Sequence, residues 1–166
     1  MLTSKERVLL ALRHEEPDRV PTGEYEFEHA IVEPVMGRST YRSRRATLQA
    51  YWEGRRDDVV DNWKSGLVKL TEHYRWDAVV VHAVPGRDTP IEVPEPMGVN
   101  QWRDSRGCRV QYSEDTDYFA VVEKPGRPAE AAAPPAGSPV LTDPTDDELE
   151  VVRHVVRELG RTHFIV

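Results

Sequence analysis

The chain has 166 residues, a net charge of −7, 39% hydrophobic and 31% charged residues, and a single cysteine, Cys108. That length allows one domain with a sizeable core. The acidic balance argues against a nucleic-acid surface, which needs a basic patch, and one cysteine excludes an internal disulfide and suits a reducing cytoplasm. No apolar run approaches the ~20 residues of a membrane span, and Lys5, Glu6 and Arg7 precede any apolar core that a signal peptide would need.

The first predicted element is a helix opened by a capping box, with Thr3 and Glu6 three apart and Val8, Leu9 and Leu12 on one stripe. Asp18-Arg19-Val20-Pro21 then forces an extended chain, because the residue before a proline avoids helical angles. Thr22 to Glu28 reads as a strand in which Tyr25 and Phe27 alternate with Glu24, Glu26 and Glu28. Ala30 to Met36 is a short helix or turn ended by Gly37, and Ser39 to Trp52 a helix stopped by Gly54. Arg42, Arg44, Arg45, Arg55 and Arg56 cluster here. With no aromatics alternating among them to stack on bases, they read as a solvated helix face. Asp57 to Tyr74 is the strongest predicted helix, with Val59, Trp63, Leu67, Leu70 and Tyr74 on one face and Asp57 and Asp58 at its positive end.

Ala78 to Val84 is a near-continuous apolar run, the texture of a parallel strand covered on both faces. Short antiparallel strands follow over Trp102 to Cys108, Arg109 to Ser113 and Tyr118 to Glu123, joined by turns at Arg106-Gly107 and Asp115-Thr116-Asp117. Lys124 to Pro139, rich in Pro, Ala and Gly, reads as an irregular connection. A second capping box, Thr145 and Glu148, introduces a helix with the stripe Leu149, Val152, Val156 and Leu159 and a stop at Gly160. His163 to Val166 begins another apolar strand. Helix, strand, inserted hairpins, helix and strand in this order give an α/β protein with a parallel sheet. A (β/α)8 TIM barrel takes about 250 residues. The expectation is therefore that residues 1–166 are the N-terminal part of such a barrel, with a small antiparallel β insertion over about residues 100–124 after the first barrel strand.

The wording Thr3-Ser4-Lys5-Glu6-Arg7-Val8, then Ala11-Leu12-Arg13-His14-Glu15-Glu16-Pro17-Asp18-Arg19-Val20-Pro21, resembles the N-terminus of the uroporphyrinogen decarboxylase superfamily. It is most similar to the branch that includes corrinoid-dependent methyltransferases. The resemblance implies the same barrel and an enzyme of methyltransferase or lyase type acting on a small substrate or a corrinoid carrier protein. It also implies that zinc and corrinoid belong to the full-length relative, the zinc ligands falling in the later half of the barrel. No cofactor or metal is expected within these residues. Two departures count against a true decarboxylase of haem biosynthesis, the alternative within the family. The segment that carries an arginine motif in that enzyme has no Arg between Thr22 and Gly37, and Val84 stands where its catalytic Asp is expected. An alternative of another class is a non-catalytic or partner-dependent chain whose barrel is completed by a second polypeptide, a C-terminal half or another copy.

Active sites of such barrels lie at the C-terminal ends of the strands. Glu24, Glu26, Glu28 and His29 fall just after the Val20-Pro21 entry, as carboxylates beside a histidine suited to acid–base work or metal binding. His82 falls near the C-terminal end of the first barrel strand, Ala78 to Val84, either contacting a ligand or hydrogen-bonded inside the barrel. His82 and Glu24 are the catalytic candidates, and Glu26, His29 and Arg87 the substrate-binding ones. Arg87 could equally pair with neighbouring charges. There is no dinucleotide fingerprint, phosphate loop, zinc-protease motif or serine elbow.

Overall fold

A computed structural model describes residues 1–25, 29–37, 41–126 and 143–166, with the backbone alone at 29 and 30. The chain divides into two compact units, residues 1–89 with 145–166, and residues 90–144.

The first unit is a three-stranded parallel sheet with helices. α1 (Ser4–Leu12) begins at Thr3, whose hydroxyl accepts from the Glu6 N–H while the Glu6 carboxylate accepts from the Thr3 N–H, so the expected capping box is present. β1 (Gly23–Glu24) pairs with β2 (Ala78–Val79), which pairs in turn with β7 (Phe164–Ile165), all parallel. The sheet order β1-β2-β7 follows the chain without reversal. Gly23 is needed where it lies, since a Cβ there would stand 2.9 Å from the Ala78 carbonyl oxygen. Between β1 and β2 come α2 (His29–Met36), α3 (Arg44–Trp52) and α4 (Arg56–Tyr74). Gly37 ends α2 at φ +67°, a left-handed conformation that glycine adopts freely. α5 (Glu150–Leu159) leads to β7.

Burial of apolar surface holds these layers together. Val60 and Leu67 of α4, Val79 and Val84 around β2, and Val151, Val155 and Leu159 of α5 form one core. Val59 belongs to a second cluster with Ala50 and Tyr51 of α3, so α4 is apolar on two sides rather than along the single expected stripe. Tyr74, assigned to that stripe, is 38% exposed. The stripe of α5 is shifted by one residue. Val151, Val155 and Leu159 are buried, whereas Val156 is 49% exposed. Two valine pairs, 151/152 and 155/156, offer two equally apolar stripes, and packing against β2 selects the phase. Gly160 follows the helix at ordinary right-handed angles and not in a left-handed cap.

The expected central strand is shorter than its apolar run. Val79 and Val84 are buried, Val80 and Val81 half-buried, and His82 and Ala83 exposed. β1 and β7 are two residues each, so the ladder ends at Val79, extended only by the Val81 N–H donating to the Val166 carbonyl at 3.0 Å. The arginine cluster is not simply a solvated face. Arg42 lies 4.9 Å over the Trp63 ring, Arg55 5.7 Å over Tyr41, and Arg56 is largely covered. The stacking rings come from other turns of the chain, which local alternation cannot reveal.

The second unit is an antiparallel sheet, β3 (Glu95–Gly98), β4 (Gln101–Arg103), β5 (Arg109–Ser113) and β6 (Tyr118–Glu123), in that order. Trp102, Tyr112 and Phe119 pack together, and the buried Tyr112 hydroxyl donates to Asp117 at 2.7 Å. Gly107 makes the β4–β5 turn at φ +78°. The insertion thus starts before residue 100, at β3, whose residues Glu95-Pro96-Met97-Gly98 include no β-branched side chain to signal a strand. As an edge strand it tolerates Pro96.

Candidate functional site

The C-terminal end of the parallel sheet carries two of the expected residues. Glu24 closes β1 opposite Val79, is exposed, and accepts from the Tyr25 N–H at 3.0 Å. His82 lies three residues beyond β2, also exposed. Its imidazole meets the Tyr25 ring edge-on, centroids 5.7 Å apart and planes at 84°. β1 and β2 therefore bring Glu24, Tyr25 and His82 to one end of the sheet, a carboxylate, a phenol and an imidazole that can donate to, accept from or exchange a proton with a ligand. His29 begins the backbone of α2, and Glu26 lies outside the described residues.

Arg87, in the loop after β2, is engaged in a cluster. Its guanidinium pairs with Asp57 at 2.5 Å and Glu150 at 3.1 Å, and its N–H donates to Asp147 at 2.6 Å. Glu150 also accepts from Lys64 at 3.0 Å and meets Arg56 at 3.4 Å. Hydrogen bonds from the Thr145 hydroxyl and the Arg87 N–H hold the Asp147 carboxyl down at about 2. Arg87 and then Arg56 hold Asp57 below its ordinary value. Burial alone would raise Glu150, but Lys64, Arg56 and Arg87 outweigh it and lower its pKa. An anionic ligand at Arg87 has to compete with Asp57 and Glu150.

The opposite, N-terminal end of the sheet holds a cluster that the sequence reading did not anticipate. Asp77, with no solvent exposure, accepts from Arg7 at 2.5 Å, from Arg19 at 2.6 and 2.9 Å, and from the Thr22 N–H at 2.9 Å. Arg7, the one buried residue of α1, also takes Asp18 at 2.6 and 3.0 Å. Burial would raise the Asp77 pKa, yet the Thr22 N–H, the Ser4 hydroxyl, Arg19 and Arg7 outweigh it and hold the carboxyl at about 2. The Asp18 bond, opposed by burial and aided by Asp77, raises Arg7 above its already high value. Both Asp77 oxygens and all three guanidinium nitrogens of Arg7 meet protein partners, which marks this end as structural. Arg7, Asp18 and Arg19 sit in the segment that carries the family resemblance, and Asp77 directly precedes an apolar strand.

Cys108 is half-buried in the second unit, its N–H donating to Asp104 at 2.7 Å. Among the described residues no group of three or more His, Cys, Asp or Glu side chains converges to hold a metal, and no helix is long and apolar enough to cross a membrane. Comparison with protein-family models, with curated proteins and with solved structures gave no match.

Proposed function

We propose that this chain is the N-terminal part of a uroporphyrinogen-decarboxylase-like (β/α)8 barrel of the methyltransferase branch, and that the end of its sheet bearing Glu24, Tyr25 and His82 meets a small substrate or a corrinoid carrier. The observation that carries the proposal is the parallel order β1-β2-β7, in step with the chain. Barrel strands run in that way, as do the strands within one half of a doubly wound sheet, and the N-terminal wording of the chain favours the barrel of the two. Two features add support. The segment resembling the superfamily folds around Asp77 at the N-terminal end of the strands, where barrels carry stability rather than chemistry. The imidazole and carboxylate sit at the other end, where barrels carry their sites. In this reading His82 and Glu24 hold or move a proton at the ligand, and the exposed Tyr25 ring gives it an apolar wall.

Titration with methylcobalamin tests the reading. Binding is expected to perturb His82, and His82→Ala or Glu24→Gln to weaken it about tenfold, or about 1.4 kcal/mol. Binding indifferent to both variants would overturn the site. Reading the DNA past the codon for Val166 tests the fold, since further alternating α/β segments are expected.

A further inference from the structure

We infer that Arg56 is a positioning residue for the strand-mouth site. It fixes the path of the chain from His82 to Pro85 and thereby sets the His82 imidazole against Tyr25. The inference rests on reading that mouth as the ligand site.

Arg56 is the first residue of α4, where a cation meets the positive end of the helix dipole. Asp57 and Asp58 in the same turn relieve part of that mismatch. Its side chain is nonetheless only 11% exposed. The guanidinium distributes its donors over three segments. Nε donates to the Pro85 carbonyl at 2.7 Å and Nη2 to the Asp147 carbonyl at 2.6 Å, while Nη1 faces Asp57 at 2.8 Å and Glu150 at 3.4 Å. Arg56 therefore ties the stretch leaving β2 to the turn that precedes α5. A lysine has no planar fork and cannot span two carbonyls and a carboxylate at once.

The consequence for His82 follows from the bonds on either side of it. The Val81 N–H donates to Val166 and the Val84 N–H to Glu148, each at 3.0 Å. His82 and Ala83 bridge these anchors with exposed side chains and lie outside the ladder. The second anchor is only as firm as the packing of residues 147–150 against residues 84–87, and that is the packing Arg56 clamps. Gly86 permits the close approach, since a Cβ there would lie 3.3 Å from the Asp147 carboxylate and 3.0 Å from the Thr89 hydroxyl. An exposed imidazole on a fixed backbone loses little freedom when a ligand binds, the preorganisation expected of a binding group.

The experiment is NMR of the full chain with labelled histidine, the His82 signals assigned by their loss in His82→Gln. Tyr25→Leu defines the shift of an imidazole without its ring neighbour. Arg56→Lys is expected to move the His82 signals at least half way to that value. Arg55→Lys, altering an exposed neighbour that bonds Glu53 and Tyr41, is expected to leave them in place. Glu150→Gln, a milder change at Nη1, is expected to move them in the same direction and decides the matter if Arg56→Lys melts below the temperature of measurement. His82 signals at their parental positions in folded Arg56→Lys, or in Glu150→Gln where that variant decides, would overturn the inference. Methylcobalamin added to the parent separates the two readings. If His82 is indifferent to it while Arg56→Lys still releases the ring, the ligand site falls and the positioning role stands. If His82 responds and Arg56→Lys leaves it in place, the positioning role falls.

Discussion

A carboxylate with no solvent contact survives at position 77 because two guanidiniums and a backbone N–H replace its water. Asp77→Asn keeps the shape and removes the charge, leaving the buried Arg7 with Asp18 alone. Breaking a buried pair in this way costs about 3–5 kcal/mol, and a thermal melt is expected to fall by roughly 6–20 °C for a chain of this size. The pH dependence has a definite sign. Asp77 titrates at about 2 in the fold against its ordinary 3.8, so its contribution is complete above about pH 4 and is lost as the pH falls through about 2. It is on the order of 2 kcal/mol. Melts between pH 6 and pH 2 should show that loss in the parent, and Asp77→Asn should flatten part of the slope; equal slopes would count against it. The sequence placed Arg7, Asp18 and Arg19 in a distinctive segment but could not supply their partner. A charge pair 70 residues apart leaves no periodic trace. Local position marks His82 as a candidate and Tyr25 only as an alternating apolar residue, and their ring contact is not legible because it depends on where two strands end.

At the scale of elements, the first capping box and the helical periodicities were readable, whereas the Thr145–Glu148 pair closes a turn and α5 opens after Leu149 with no side-chain cap. The Thr3–Glu6 box starts α1 where expected, and α4 and α5 lie where their apolar periodicity put them. The phase of α5 was not readable, since Val151-Val152 and Val155-Val156 satisfy helical spacing from either member. Val155→Ala is expected to destabilise by roughly 1–3 kcal/mol, two methyl groups lost from a filled core. Val156→Ala should cost less than about 0.5 kcal/mol at its exposed position. Denaturant midpoints for the two variants test the assignment directly, and a reversed ranking would restore the stripe first read. β3 escaped because its four residues have no strand propensity of their own and are drawn into the sheet by pairing of Pro96 with Trp102.

On the scale of the molecule, the chain leaves the first unit at Thr89 and returns at Thr145. The two crossing points are neighbours. The Thr89 N–H donates to the Gly86 carbonyl, and the N–H of the next residue, Arg87, donates to Asp147. Residues 90–144 should therefore be replaceable by a short Gly-Ser linker, since joining ends that already lie together costs little closure entropy. A cooperative melt with helical circular dichroism retained is expected from the shortened chain, and loss of cooperativity would show that the first unit depends on the second. The placement of α1 has a consequence for how the protein is made. Its Lys5 N–H donates to Thr162 at 2.7 Å and the Lys5 ammonium to Gly160 at 2.9 Å, 155 residues along the chain. At the usual pace of a ribosome, that separation is roughly 8–30 s of synthesis. The first helix to emerge waits through that interval for its seat, with its capping box to hold it and Arg7 in water until Asp77 arrives.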